Sequence, residues 1–378
     1  MRIGYDLRPF LKEATGVGVY LKNLLFELAR IDPDDEFFMV SASWKDRFPA
    51  GNIPPFAKGR FRDLRWPVRV LNFFWQDLGR PTLDRLAGVP LDLTHSATPL
   101  PIPTRGRTLV TVCDLFFMED PARADREARR KFLNRTGEAL RRADGVITIS
   151  EFSRRGIIER FGLPAEKVRA ITLGVSPVFR RPAEEMRIAA LRRELDIPGE
   201  FLLFVGASEP RKNLPRLIDA LSILHRDDRT IPLVLVGRPG GDHSRLTARI
   251  LEKNLSASVR LAGYRPDEDV RALYASASAL VFPSLAEGFG LPLIEAMACG
   301  LPAAVSAVSA LPEIGGAAVL YFDPSNAEAM AAAMERILRD DNLRAELRRE
   351  GRERARLFDW ARTAEATLDL YRGIVGRR

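Results

Sequence analysis

The stretch FLLFVGASEPRKNLPRLIDALSILHR, residues 201–226, decides the fold of this chain. It opens with the apolar run FLLFVG (201–206), which has the length of a buried strand. It continues into LPRLIDALSILHR (214–226), whose apolar residues keep helical spacing. A strand without polar alternation that leads directly into a helix is typical of a parallel sheet covered by helices on both faces.

The same alternation of strand and helix extends along the whole chain. Strands are predicted at 2–7, 36–42, 109–114, 145–150, 201–206, 231–237, 259–263, 279–284 and 317–322. Helices are predicted at 18–31, 126–143, 151–162, 214–226, 243–254, 267–277 and 325–340. We therefore expect an α/β protein with two doubly wound, Rossmann-like domains facing each other across a cleft. Ligands are expected at the carboxyl ends of the strands.

The chain length and one break in the alternation of strands and helices predict the domain boundaries. The 378 residues exceed one typical core and suit two domains. The segment LGVSPVFRRPAEE, residues 173–185, combines prolines, a glycine and a basic run, so the linker is placed there. A first domain at 1–178 and a second at 179–357 follow, and the amphipathic segment 358–378 is predicted to cross back onto the first domain.

The positive charge is concentrated in the first half of the chain. Residues 1–180 hold 30 Lys/Arg against 22 Asp/Glu, whereas residues 181–378 hold 28 of each. Two segments supply most of the excess, 56–80 with six basic residues among six aromatic ones, and 123–142 with eight basic residues. Such segments suit anionic lipid headgroups or nucleic acid, while a solvated basic face over ordinary core aromatics remains the alternative.

Several classes of protein are disfavoured by what the sequence lacks. It has no run of eighteen apolar residues and no apolar core of signal-peptide length, so a cytoplasmic protein is expected. Cys113 and Cys299 are far apart and are interpreted as reduced thiols. The three histidines are scattered and the pair Asp32 and Asp34 lies in a polar turn, so no metal site is expected.

Two glycine-bearing turns are candidates for binding an anion. Gly16 and Gly18 precede a helix, where free backbone amides suit a phosphate or a sugar hydroxyl, although a flexible turn is the alternative. Gly206 ends a strand, and Arg211 and Lys212 follow it at the start of the next helix. Basic residues are disfavoured at a helix N-terminus because the macrodipole is positive there, so an anion is expected to occupy this turn, although a solvated basic turn is the alternative.

Two further turns follow strands of the second half. Gly263 and Tyr264 end a strand where backbone groups could hold a flat ring, although a simple turn is the better reading of these residues alone. The stretch PSLAEGFGLPLIEAMACG, residues 283–300, places Glu287 before a helix start and Glu295 about one turn inside it. The glycines between them leave backbone amides available to phosphates or hydroxyls.

The motifs of the second half resemble those of a known enzyme family. The stretches FVGASEPRKNL, LAGYRPDEDVRALYASASALVFPSLAEGFGLPLIEAMACGLP and YFDPSNAEAMAAAMERIL are similar to retaining nucleotide-sugar glycosyltransferases of family 4, which have the GT-B fold. The most specific feature is the eight-residue offset between Glu287 and Glu295 with GFGLP between them. The first half resembles the family only at TGVGVY, HSATP, TVCDL and VITISEFS.

This resemblance implies a role for each candidate residue. Residues 1–178 would bind the acceptor and residues 179–357 the donor, a nucleotide diphosphate sugar. Arg211 and Lys212 would neutralise the departing diphosphate in place of a metal. The remaining roles concern donor contacts: Gly16, Gly18 and Gly206 would let the backbone approach the phosphates, Tyr264 would mark the nucleobase site, Glu287 would contact the transferred sugar, Gly288, Phe289, Gly290 and Leu291 would hold the sugar and distal phosphate, and Glu295 would bind the ribose.

The resemblance also implies the reaction and its setting. The anomeric configuration would be retained, with no cofactor and no metal, during transfer of a hexose to a saccharide or lipid-linked acceptor of surface polysaccharide. GDP-mannose is the first expected donor and UDP-glucose the second. Ala207 replaces an arginine and Cys113 a histidine that many relatives carry, so Arg211 would carry more phosphate charge and Asp114 is the catalytic candidate in the first domain.

Two other classes of function are alternatives. A nicotinamide-dependent dehydrogenase requires a full glycine fingerprint with an acidic residue about twenty positions on, and neither half supplies both. A non-enzymatic nucleotide-binding or nucleic-acid-binding protein would use the basic first half, but no nucleic acid partner is expected. The same basic half predicts peripheral contact with an anionic membrane surface on its cytoplasmic side.

Overall fold

The computed structural model divides into two compact units, residues 1–174 with 359–378, and residues 175–358. It describes the following residues: 1–11, 16–116, 126–225 and 230–376, with the backbone alone for 126–129. Residues 14–15 of the first glycine turn and 123–125 of the second basic segment therefore lie outside the described residues, as do the side chains of 126–129.

The first unit contains a seven-stranded sheet in the order β3-β2-β1-β4-β5-β6-β7, with all pairs parallel. Its strands are β1 (Arg2–Asp6), β2 (Glu36–Ala42), β3 (Gly59–Leu64), β4 (Leu93–Ser96), β5 (Arg107–Thr111), β6 (Gly145–Thr148) and β7 (Val168–Ala170). Its first helices are α1 (Gly16–Ile31), α2 (Val68–Phe73), α3 (Leu83–Ala87), α4 (Arg126–Arg142) and α5 (Glu151–Phe161). The order reverses between β1 and β4, as a doubly wound domain requires.

The second unit contains a six-stranded parallel sheet in the order β10-β9-β8-β11-β12-β13. Its strands are β8 (Leu202–Val205), β9 (Leu233–Val236), β10 (Val259–Gly263), β11 (Ala279–Phe282), β12 (Ala303–Ser306) and β13 (Leu320–Phe322). Its helices are α6 (Glu185–Glu194), α7 (Leu214–Leu224), α8 (His243–Glu252), α9 (Asp267–Ser276), α10 (Leu291–Cys299), α11 (Leu311–Gly315), α12 (Ala327–Arg339) and α13 (Asp341–Ala355). The prediction of two doubly wound α/β domains is confirmed, and the switch point of this sheet lies between β8 and β11.

The chain ends in α14 (Trp360–Val375), which packs against α1 within the first unit. The Thr363 hydroxyl donates to the Thr172 carbonyl at 2.7 Å, and the Gly174 backbone lies so close to Trp360 that a side chain at position 174 would clash. None of the described helices is long and apolar enough to cross a membrane.

A buried polar cluster lies in the centre of the first sheet. His95 of β4 contacts Tyr371 of α14 through Nδ1 at 2.6 Å and Thr111 of β5 through Nε2 at 2.7 Å. Tyr371 also hydrogen-bonds Tyr5 of β1, and Tyr20 of α1 reaches Thr111 at 3.1 Å. We call these five residues the His95 cluster. Burial raises the pKa of each of its tyrosines and lowers the pKa of His95 to about 3, so the cluster is uncharged near neutral pH.

Four strands were not predicted from the sequence, namely β3, β4, β7 and β12. β3 is an edge strand with the sequence GRFRDL, whose charges were interpreted as part of a binding face. β4, LTHS, and β12, AAVS, are buried at every residue, but each strand is only four residues long, and β4 has a single apolar side chain. His95 and Ser96 of β4 and Ser306 of β12 have hydrogen-bond partners, whereas the buried Thr94 hydroxyl has none among the described residues.

Candidate active site

The loops after β8 and β11 meet at the switch point of the second sheet, and each brings one half of the predicted charge pattern. A 3-10 turn, Pro210–Lys212, follows β8 and presents Arg211 and Lys212. The glycine stretch after β11 presents Glu287. The loops are joined by the Leu285 amide, which donates to the Arg211 carbonyl at 2.8 Å. The topology therefore places the basic and acidic residues together, where open α/β sheets bind ligands.

Lys212, Arg211 and Glu287 form one ion cluster, which we call the Glu287 cluster. Lys212 Nζ lies 2.5 Å from Glu287 Oε1, and Arg211 Nη1 lies 2.9 Å from Glu287 Oε2. The side chains of Lys212 and Glu287 are only 7% and 8% exposed, whereas that of Arg211 is 41% exposed. Two cations share one carboxylate, so the cluster carries excess positive charge at its accessible side.

The environment keeps Glu287 ionised although it is buried. Burial alone raises the pKa of Glu287, but the charges of Lys212 and Arg211 outweigh it, and the resulting pKa is lower than that of an ordinary glutamate. Lys212 Nζ also lies 4.8 Å above the ring of Phe282, at the end of β11. Glu287 is therefore an anion within the protein that accompanies the basic turn. The excess positive charge is what remains for a ligand.

Two residues that were not predicted hold this geometry. Asn213 has a left-handed backbone (φ +57°), and its amide donates to the carbonyls of Pro283 at 3.2 Å and Pro324 at 2.9 Å. Ser309 Oγ accepts from the Glu287 amide at 2.9 Å. Asn213 had a signal, since it follows Lys212 directly and asparagine tolerates the left-handed region. Ser309 had none, because it lies 22 positions from its partner.

The glycine stretch after Glu287 turns its backbone into the helix start of α10. Gly290 precedes α10 with φ +105°, and a side chain there would meet Leu311 at 2.9 Å, so this position requires glycine. Phe289 is buried against Phe358 and anchors the turn. Within the described part of the chain, the amides of Gly288, Phe289 and Gly290 donate to no acceptor. They lie beside the N-terminus of α10, a helix of nine residues, and could donate hydrogen bonds to an anion or to hydroxyls.

Glu295 lies on α10 and is not part of the Glu287 cluster. Its carboxylate accepts from the Tyr274 hydroxyl of α9 at 3.2 Å. Burial, and secondarily the charge of Asp267, raises the pKa of Glu295 to about 8. The two glutamates of the sequence motif therefore have opposite electrostatic environments, one held ionised and one inclined to protonation.

The edge of the sheet beyond β8 contains the predicted base-binding turn. Gly206 (φ +151°) ends β8, and its amide donates to the Val236 carbonyl of β9. Tyr264 follows β10 with its ring 59% exposed, and Arg238, which follows β9, lies 4.5 Å above that ring. Tyr264, Arg238 and the basic turn are thus on successive strands of the same sheet edge, spaced by roughly 5 Å per strand.

The other predicted residues belong to the first unit. Gly16 begins α1, and no atom of the described residues lies within 4 Å of where its β-carbon would be, whereas the β-carbon position of Gly18 lies 2.9 Å from the Pro9 carbonyl. Asp114 lies three residues beyond β5, and its carboxylate accepts from the Phe116 amide at 3.1 Å. β5 ends at Thr111, so the strand predicted at 109–114 is shorter than expected. In the described residues, no group of three or more His, Cys, Asp or Glu side chains could hold a metal.

Comparison with known proteins identifies the family of this chain. The family models for Glycosyltransferase Family 4 and Glycosyl transferases group 1 match residues 14–179 and 189–354, respectively. O-antigen chain mannosyltransferase B of Escherichia coli is 34% identical over 269 residues, which cover 70% of this chain and 70% of that protein. The serotype-specific mannosyltransferase WbdA of Escherichia coli is 33% identical over 65% of this chain, which spans only 30% of WbdA.

The fold comparison agrees. Sucrose-phosphate synthase from Thermosynechococcus elongatus superimposes with a TM-score of 0.79 at 24% identity, covering all of both chains. Its likeness supports the two parallel-sheet, Rossmann-like domains of the GT-B fold. With both halves matched by family models and a relative above 30% identity over most of its length, this chain belongs to glycosyltransferase family 4, the glycosyl transferases of group 1.

Proposed function

We propose that this protein transfers a hexose, with retention and without a metal, from a nucleotide diphosphate sugar to a saccharide or lipid-linked acceptor. The Glu287 cluster carries the proposal, because two cations around one buried carboxylate leave positive charge for a second anion. A diphosphate is the part of such a donor that needs that charge. Family membership favours this reading over a dehydrogenase or a non-enzymatic binder.

The three residues of the cluster would divide the work by their burial. Lys212 is fixed between Glu287 and the Phe282 ring and would act as a stationary charge near the diphosphate. Arg211 is the more exposed cation, and its guanidinium can exchange Glu287 Oε2 for phosphate oxygens. Glu287 would then be left to orient Lys212 and to accept hydrogen bonds from the transferred sugar, since each carboxylate oxygen has a second lone pair.

In this proposal the bond between the anomeric carbon and the diphosphate oxygen breaks on the same face on which the acceptor oxygen bonds. The proton of the acceptor hydroxyl passes to the departing diphosphate oxygen, so no dedicated base is needed. Arg211, Lys212 and the amides of the glycine stretch stabilise the negative charge that develops on the diphosphate. The ribose would be held by Glu295 and the nucleobase near Tyr264, and Asp114 is the catalytic residue proposed in the first unit.

The donor is proposed to be GDP-mannose, with UDP-glucose as the second candidate. The resemblance to an Escherichia coli O-antigen chain mannosyltransferase supports mannose and a role in surface polysaccharide. The test is a thermal-shift panel of GDP, UDP, NAD⁺, GDP-mannose and UDP-glucose. A ligand at a hundred times its Kd stabilises the folded state by about 2.7 kcal/mol, which raises Tm measurably.

We expect GDP-mannose to raise Tm in the wild type and to raise it less in Lys212→Ala, which removes one of the two cations, with the surface variant Lys253→Ala as the matched control. The proposal would be contradicted if NAD⁺ alone raised Tm, or if none of the nucleotide sugars raised it. Two further measurements address its other parts. Chelation by EDTA should leave turnover unchanged, and the anomeric proton of the product should show the donor's configuration by NMR.

A further inference from the structure

Six large apolar side chains are exposed on one region of the first unit, between β2 and the end of the turn that follows α2. They are Trp44, Trp66, Val68, Val70, Phe73 and Leu78, and we call them the apolar face. Trp44 is 71% exposed and Phe73 54% exposed. Half of the large exposed apolar side chains in the described part of the chain lie in this short region, and exposed apolar groups concentrated in this way mark interaction surfaces.

The local structure explains why these side chains point outward. The register of β2 and β3 pairs Ala42 with Leu64, so Trp44 and Trp66 leave neighbouring parallel strands at the same level. The ring centroid of Phe74 lies 6.2 Å from that of Trp66 and 5.9 Å from that of Phe73. The two tryptophans and this aromatic group thus emerge together at the carboxyl ends of the two strands.

The inner side of the segment that carries the apolar face is packed against the core of the unit. Leu71 and Trp75 are buried in the core of the unit, and the Trp75 indole donates to the Pro81 carbonyl at 3.0 Å. Arg8 holds the same segment through Asn72 at 2.8 Å and through the Trp75 ring at 4.8 Å. The apolar face is therefore the outer side of an anchored element, with its inner side already packed.

The charges around the apolar face are positive because the acidic residues are already paired. Between residues 58 and 80 there are six basic residues and two acidic ones. Asp63 pairs with Arg47 at 2.9 Å, and Asp77 pairs with Arg135 at 2.6 Å. Arg65 and Arg69 alternate with the exposed apolar residues in the segment RWPVRV, and neither pairs with a carboxylate among the described residues.

From this combination we infer that the apolar face docks on an anionic lipid surface, inserting Trp66 and Phe73 while Arg65 and Arg69 contact the headgroups. Tryptophan and arginine at one face suit the boundary between headgroups and acyl chains, where rings are half buried and cations meet phosphate. A second copy of this chain would bring the same positive charge, and the two surfaces would repel each other. Nucleic acid would match the arginines but would leave the aliphatic side chains of Val68 and Val70 without an apolar partner. The inference does not depend on the donor chemistry.

The test is cosedimentation of the full chain with vesicles of phosphatidylcholine alone, or of phosphatidylcholine and phosphatidylglycerol in equal parts. We expect binding to the anionic vesicles only, weakened by salt. Arg65→Glu/Arg69→Glu and Trp66→Ser/Phe73→Ser should each weaken it by more than about tenfold. The matched controls lie on the second unit: Arg193→Glu/Arg245→Glu for charge, and Met186→Ser/Leu251→Ser for exposed apolar groups, and both should bind like the wild type.

Equal sedimentation of the wild type and the Trp66/Phe73 variant, or no sedimentation with anionic vesicles, would overturn the inference. So would a concentration-dependent dimer that the Trp66/Phe73 variant abolishes, or DNA binding that the arginine variant abolishes in place of vesicle binding. Circular dichroism and Tm of each variant confirm that it is folded. Donor-induced thermal shifts of the same variants should be unchanged, which separates failure of lipid binding from failure of the donor site.

Discussion

Each unit holds a cluster of polar side chains, one within the central strands of its parallel sheet and the other in the loops that follow the central strands, and the two clusters differ in charge. The His95 cluster lies within the strands of the first sheet, where both ring nitrogens of His95 have partners. The Glu287 cluster lies in the loops beyond the strands of the second sheet, where two cations share one carboxylate. The first is electrically neutral and sealed, whereas the second has excess charge and an accessible side.

The difference separates a stabilising network from a binding site. A buried network whose groups are all paired by the protein leaves nothing for a ligand and serves to fix the packing, here of α14 on the sheet. A charged cluster with unequal signs binds the ion that balances it, at the edge of the sheet where ligands are expected. Substitutions in the first should therefore change stability, and substitutions in the second should change donor binding and turnover.

The largest effect is expected from Lys212→Ala, which removes the buried cation of the Glu287 cluster. Loss of one preorganised charge that stabilises a leaving group typically lowers kcat by about 10²–10³. Glu287 would keep Arg211 as a partner, so the variant should stay folded but turn over slowly. Lys253→Ala is the control, because that lysine lies 3.9 Å from Asp219 on the surface. Turnover of Lys212→Ala within twofold of the control would remove the distinction between the two clusters.

Tyr371→Phe tests the opposite side of the comparison. The hydroxyl is shared by His95 and Tyr5, so its loss leaves both without that partner in a buried site. We expect the free energy of unfolding in urea to fall by about 1–3 kcal/mol, with kcat/KM of the folded enzyme unchanged. Tyr321→Phe, whose hydroxyl donates to the Gly316 carbonyl near the surface, is the control. A loss of activity without loss of stability would assign the His95 cluster to the reaction.

Within the Glu287 cluster, Arg211→Lys compares the half-exposed cation with the buried one. Lysine keeps the charge but loses the planar fork that grips two oxygens at once. We expect the donor Kd to rise about tenfold and kcat to change less than in Lys212→Ala. Isothermal titration with the nucleotide diphosphate measures the effect, and Arg216→Lys, which contacts the Ser325 carbonyl, is the control. An unchanged Kd would mean that Arg211 serves only to pair Glu287.

The two clusters also differ in how much of each could be predicted from the sequence. The pattern predicted the alternation of strands and helices and the residues of the Glu287 cluster, because both depend on local runs of residue types. It did not reveal β4 or the His95 cluster, since a histidine and four hydroxyls that come from three strands and two helices share no local signal. It also treated Glu287 and the basic turn as separate halves of a site, whereas the fold pairs them directly.

The smallest effect is expected from Glu295→Gln, which tests whether the second glutamate of the motif shares the ionised state of Glu287. The pKa of Glu295 is raised from 4.5 to about 8, so the folded state binds the proton more tightly than the unfolded state. The free energy of unfolding should therefore fall as pH rises between these two values. Since water reaches this residue in part, we expect a fall of only about 1 kcal/mol.

Glutamine stays neutral at every pH, so Glu295→Gln should remove this component and gain stability relative to the wild type toward the alkaline end of that range. Urea unfolding across the range gives the slopes, with the exposed Glu328→Gln as the control. Parallel slopes for wild type and variant would show that Glu295 is ionised like Glu287. In that case the electrostatic contrast within the motif would vanish, and only the contrast between the neutral and charged clusters would remain.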